Sequence, residues 1–157
     1  MNLRLKNRII SAKKQIMKTK VLSVFFILSL TACNYLFQLN SDNDLTKIIE
    51  TKIKENPKKI SLSNIEDLDY DKLLILEPYS NIEKTEKELK VDLSNISENN
   101  IHSSDDINLL VFLKNNKSIK ISELPRVNGD FVDYKILIKE ENANFEKKEK
   151  GLLTLIK

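Results

Sequence analysis

Apolar residues recur along the chain in two rhythms, one helical and one strand-like, separated by short polar breaks. The first apolar run, Val21 to Ala32, holds twelve residues and no charge. As a helix it rises about 18 Å, well short of the roughly 30 Å hydrocarbon core of a bilayer. Asp44 to Asn56 sets Ile48, Ile49 and Ile53 on one helical face, with Asn43 or Asp44 as the cap and Pro57 just past the end. From Ile60 to Ile65, Ile60 and Leu62 alternate with Ser61 and Ser63, which predicts a short strand. Lys72 to Leu76 is apolar on both faces, as a central strand is, and Pro78 ends it. Asn81 to Lys90 reads as a charged helix with Ile82, Thr85 and Leu89 near one face. Glu83–Lys87 and Glu86–Lys90 stand at i, i+4 on its solvated side.

The second half reads as strands. Asn95 to Asp106 is a polar loop, and Ile107 to Lys114 is a second central strand with Leu109, Leu110, Val111 and Phe112. Asn115-Asn116 makes a hairpin turn, because Asn tolerates positive φ. Ser118 to Leu124 follows with Ile119 and Ile121 inward, and Asn128-Gly129-Asp130 marks another turn. Phe131 to Lys139 is expected as one strand, with Val132, Tyr134, Ile136 and Ile138 on one side. Asn142 to Lys148 is expected as an edge strand around Ala143 and Phe145, and Gly151 to Lys157 as an apolar tail, strand or helix. This order predicts an α+β fold: a mostly antiparallel sheet with two helices packed on one face. The expected organisation is a signal peptide over 1–32, a lipidated tether over 33–43 and one α+β domain over 44–157.

Composition narrows the class. With 41% hydrophobic residues, 2 Gly and 3 Pro, the chain is neither disordered, collagen-like nor linker-rich. The net charge of +3 is misleading. Residues 1–33 hold Arg4, Lys6, Arg8, Lys13, Lys14, Lys18 and Lys20 and no acid. Taking these seven from the 26 Lys and Arg leaves 19 against 23 Asp and Glu, a formal charge of −4 for 34–157. Basic character confined to the N-terminus argues against a nucleic-acid partner.

A basic stretch followed by a short apolar run fits a signal peptide, and the basic side stays in the cytoplasm. Two starts are open: Met1, giving a long basic region, and Met17, followed at once by Lys18-Thr19-Lys20. The run ends in Leu30-Thr31-Ala32-Cys33, which resembles the bacterial lipobox. That resemblance implies a diacylglyceryl group on the Cys33 sulfur, cleavage before Cys33, and anchoring to membrane lipid. A thiol is the nucleophile that forms the thioether, and two or three acyl chains hold far better than one. Cys33 is the one cysteine of the chain, so no internal disulfide competes for it. Tyr35, Leu36, Phe37 and Leu39 can lie against headgroups. Asn34 follows the cysteine instead of the Asp that marks inner-membrane retention in enteric bacteria. For a two-membrane cell this points to the periplasmic face of the outer membrane or the cell surface.

Asp69-Tyr70-Asp71-Lys72, running on to Glu77-Pro78-Tyr79, resembles a pattern of small bacterial lipoproteins of unknown function. Ile107 to Phe112 and Leu124-Pro125-Arg126 with Gly129-Asp130-Phe131 resemble later parts of the same pattern, over about residues 60–147. Tyr70 stands where that pattern carries Trp. The resemblance implies fold and address and no catalytic residue.

The residues offer little for catalysis. One histidine, His102, and no cysteine after Cys33 give no zinc-ligand spacing, and no cofactor motif is present. His102 beside Ser103 and Ser104 is adjacency without a triad. Asp69 and Asp71 flank Tyr70 and can do acid–base work together, or simply fix a strand entrance while Tyr70 packs. Tyr79 can be a corner residue, and Arg126 can pair with Asp130 across a turn. These six residues form the candidate surface or binding set. The leading expectation is a membrane-anchored, non-enzymatic binding or interaction module for a protein or other envelope partner. The alternatives are an inhibitor or self-protection lipoprotein acting through loop 95–106, and a cell-envelope hydrolase using Asp69 and Asp71.

Overall fold

The computed structural model describes residues 38–56 and 58–156. The expected signal peptide, Cys33 and residues 34–37 of the expected tether lie outside them. Helix α1 spans Asn43–Glu55. Its cap is Asp42, whose carboxylate accepts from the Asp44 N–H at 3.0 Å and the Leu45 N–H at 2.9 Å. The helix therefore starts one residue earlier than the pattern predicts, with Asn43 inside it. Leu45, Ile49 and Ile53 form the buried stripe, spaced four apart, and Ile48 faces out. Helix α2 spans Ile82–Leu89, is capped by Asn81 and ends at Lys90 in the left-handed region.

The strands are β1 (Lys59–Ser61), β2 (Lys72–Leu76), β3 (Ile107–Lys114), β4 (Lys117–Pro125), β5 (Asp130–Phe131), β6 (Leu137–Lys139), β7 (Asn144–Lys147) and β8 (Leu152–Leu155). They form two four-stranded sheets, ordered β4-β3-β2-β6 and β1-β7-β8-β5. Every pairing is antiparallel except β5 with β8. The fold is thus α+β with mostly antiparallel pairing.

Alternation along β2 and β3 splits the core into two layers. Leu73, Ile75, Leu110 and Phe112 face one way, against α1 and the second sheet through Leu45, Ile49, Ile53, Ile60, Phe131, Phe145 and Leu153. Leu74, Leu76, Leu109, Val111 and Leu113 face the other way, against Ile82 of α2 and against Val91, Leu93, Ile96 and Ile101 after it. Both faces of the first sheet are covered, which is why β2 and β3 are continuous apolar runs. Each helix takes one face of that sheet, where the pattern suggested that they share one.

Four local expectations change. The Asn115-Asn116 hairpin forms as expected, with φ of 51° and 62°, but β4 then carries a bulge between its pairings to Phe112 and Leu113. The extra residue turns Ile119 toward the α1 layer while Ile121 joins the α2 layer. Phe131 to Lys139 is not one strand. The chain crosses from β5 in one sheet to β6 in the other through Lys135, whose φ is 57°. Val132 and Ile136 consequently face outward. Asn142 to Lys148 yields β7, which lies inside its sheet between β1 and β8 instead of at an edge, because the tail pairs with it as β8. Finally, the described part of the expected tether is docked. The Leu39 N–H donates to Asn95 O at 2.7 Å, and Ser41 bridges to Ile121.

Candidate functional site

The antiparallel order of the first sheet gives it two ends. At one end lie the Asn115-Asn116 hairpin and the start of β2. At the other lie four connections: 77–81 after β2, 99–106 before β3, 126–129 after β4, and 132–136 before β6.

Asp69, Tyr70 and Asp71 belong to the hairpin end. Tyr70 is buried, and its hydroxyl donates to Leu62 O at 2.6 Å. Its ring meets Phe112 edge to face, centroids 5.0 Å apart. Burial pushes the phenol above its ordinary pKa, so it remains a neutral donor. The Asp71 N–H donates to Leu113 O at 2.8 Å, while Asp71 Oδ2 accepts from the Asn115 N–H at 2.9 Å. That carboxylate holds the left-handed Asn115-Asn116 turn against the strand entrance. Its other oxygen is buried without a partner. Asp69 is exposed and pairs with Lys114, whose ammonium it holds above its usual pKa. Asp69 borders an open depression of about 580 Å3 with Asn64, Asp67 and Glu140; Asp71 does not.

Tyr79, Arg126 and Asp130 belong to the opposite end. The five residues of β2, at about 3.3 Å each, put roughly 17 Å of strand between Asp71 and the turn holding Tyr79. Asp69, Asp71 and Tyr79 are therefore not brought into one cleft. The Ser80 N–H donates to Glu77 O at 3.2 Å, closing a turn with Pro78 second and Tyr79 third. Tyr79 has φ of 60°. Proline in second place and positive φ in third define a type II turn, whose third position favours Gly. The Tyr79 side chain is 62% exposed.

Arg126 and Asp130 form a two-pronged pair: Nε to Oδ1 and Nη2 to Oδ2, each 2.8 Å. Arg126 Nη1 also donates to Asp105 O at 2.9 Å, which fastens loop 99–106 to the turn after β4. The guanidinium holds the Asp130 carboxyl below the usual carboxylate range. Two further side chains complete this half-buried cluster. Asn108 Nδ2 donates to Gly129 O at 3.3 Å and approaches Asp130 Oδ1 at 3.4 Å. The Tyr134 hydroxyl lies 3.2 Å from Asn108 Oδ1 and 3.3 Å from Asp130 Oδ1. Burial, then the Asp130 charge, pushes its phenol up to about 12. The sequence reading missed both residues. One signal was available: Asn108 is a polar residue inside the apolar run of β3, and it is fully buried.

Two other depressions hold about 460 and 440 Å3. The first, between the end of α1 and β1, is flanked by Lys52, Asn56, Lys59 and Asn144. The second, beside α2, is flanked by Glu83, Glu86, Ser94 and His102. Among the described residues no three His, Cys, Asp or Glu side chains are grouped to hold a metal, and no helix is long and apolar enough to cross a membrane. No protein-family model, curated protein or solved structure matches the chain.

Proposed function

We propose that the chain is a lipoprotein precursor, cut before Cys33 and anchored through lipid on that cysteine, whose folded domain is a non-enzymatic binding module outside the cytoplasm. The observation that carries this reading is Leu30-Thr31-Ala32-Cys33 standing directly after a basic stretch and a twelve-residue uncharged run. A binding role is supported by the candidate side chains, which are engaged in holding turns and loops. Asp71 fixes a hairpin, Tyr70 fills the core, and Arg126 with Asp130 clamps two connections.

The test is metabolic labelling with a palmitate analogue in a bacterial host that processes lipoproteins. The expected result is label on the full protein, absent from Cys33→Ala, and mature material that begins at Cys33. Label that survives Cys33→Ala, or mature protein that retains residues 1–32, overturns the reading.

A further inference from the structure

The described residues include six exposed large hydrophobics, and four of them, Tyr79, Val127, Val132 and Ile136, sit on the connections at one end of the first sheet. Val127 is 92% exposed at the tip of the turn that Arg126 and Asp130 clamp. Tyr79 is 62% exposed and occupies the left-handed position of its turn, where Gly is the low-energy residue. Tyr79 and Val127 stand on turns held by hydrogen bonds and the Arg126–Asp130 pair, and large apolar side chains exposed at one end of a sheet mark a contact surface. The charges at this end are unevenly matched. Arg126 pairs with Asp130 and Lys135 with Glu77, so both cations are neutralised. Asp105 and Asp106 are exposed, and Asp105 shares the Arg126 charge with Asp130, so Glu77, Asp105, Asp106 and Asp130 outnumber Arg126 and Lys135 here. A surface that is apolar with an excess of carboxylates repels anionic lipid and complements a cationic protein segment.

Building on the binding-module reading, we infer that this loop end is the partner-binding surface and that it takes a basic, aliphatic-rich segment of another protein. Tyr79 and Val127 supply apolar contact, and Asp105 and Asp106 supply the charge that selects cations. The Arg126–Asp130–Asn108–Tyr134 cluster holds the loops in place without touching the partner.

The test uses the full chain in phosphatidylcholine nanodiscs and a flexible peptide of Lys, Leu and Gly, with a twin carrying Glu for Lys. The expected result is binding of the Lys peptide alone, with slowed backbone exchange at 77–81 and 126–129. Affinity falls about tenfold or more for Asp105→Asn with Asp106→Asn, and again for Tyr79→Gly, as loss of contacts central to an interface does. Tyr79→Gly relieves the left-handed tyrosine, so its melting temperature stays level or rises and lost binding is not lost folding. Absence of binding, equal binding by the variants, or equal binding of the Glu twin overturns the proposal. So does protection of the same loops by phosphatidylglycerol nanodiscs without peptide, which would make this a membrane surface. Lipid labelling of the parent chain separates the two readings: a parent that takes no label yet binds the Lys peptide sinks the anchor and spares the surface, whereas a labelled parent that does not bind the peptide sinks the surface and spares the anchor.

Discussion

Tyr70 and Gly129 show how much single positions decide. Tyr70 is one of the largest fully buried side chains, and its only polar atom is matched by Leu62 O at 2.6 Å. Tyr70→Phe keeps the packing against Phe112 and strands that carbonyl. A buried acceptor left unpaired costs about 1–2 kcal/mol, so chemical denaturation should show a loss of that size with an unchanged m-value. Tyr70→Trp must find another home for its N–H and a larger ring. At Gly129 the constraint is space. A Cβ there would come within 2.8 Å of Leu153 Cδ1 and 2.9 Å of Ile53 Cδ1. Both neighbours are buried in the α1 layer, so neither methyl can swing into solvent. Gly129→Ala should therefore destabilise by about 1–3 kcal/mol, as overpacking does. A gain in melting temperature would show that the contact yields freely.

Between elements, the decisive joint is the start of α1. Asp42 accepts two N–H bonds of the first turn and pairs with Lys120 on β4 at 2.6 Å. The helix-end bonds, chiefly that from Leu45, and then Lys120 hold its carboxyl below the ordinary value. In the unfolded chain that group titrates near 3.9. Its folded value is lower, so its stabilisation is complete above about pH 4 and is lost as pH falls through the folded value. Asp42→Ala should cost about 1 kcal/mol at neutral pH. Below about pH 4 the gap between variant and parent should narrow, and a gap that widens in acid would contradict the assigned role. The sequence exposes this kind of joint only in part. Strands β2 and β3 and the hairpin between β3 and β4 could be read directly, because burial on both faces and paired Asn residues leave plain marks. The cap expected at Asn43 or Asp44 falls at Asp42, because Asp42, Asn43 and Asp44 are all capping types. The 131–139 segment was misread because its alternation is real, yet the chain turns at Lys135 and changes sheets. The Arg126–Asp130 pair lies four residues apart and could be foreseen, whereas Asn108 and Tyr134 reach it only through the pairing of β3 with β4 and the crossing toward β6.

At the scale of the whole molecule, two apolar layers share one sheet. β2 and β3 contribute alternate side chains to each layer, so neither layer can come apart without exposing half of those strands. The second sheet is bound differently. Its edge strands are three residues (β1) and two residues (β5) long, and only one of its faces enters the core. Local opening is cheapest where few buried apolar contacts must break. Native-state hydrogen exchange should therefore rank the amides. Those that pair β2 with β3, from Leu73 to Ile75 and from Leu110 to Phe112, should exchange last, at the free energy of global unfolding. Those of β5 and β6, which flank the crossing at Lys135, should open earlier by local fluctuation. The N-terminal lead-in at Leu39 to Asp42 offers the sharper test, because it lies along β4 and joins both layers, with Leu39 on the α2 side and α1 on the other. If it is a part of the fold and not a loose tether, the Leu39 and Asp42 amides, bonded to Asn95 O and Ile121 O, should be protected well above the rate of free peptide. Exchange at the free-peptide rate would mean that the lead-in is undocked in solution.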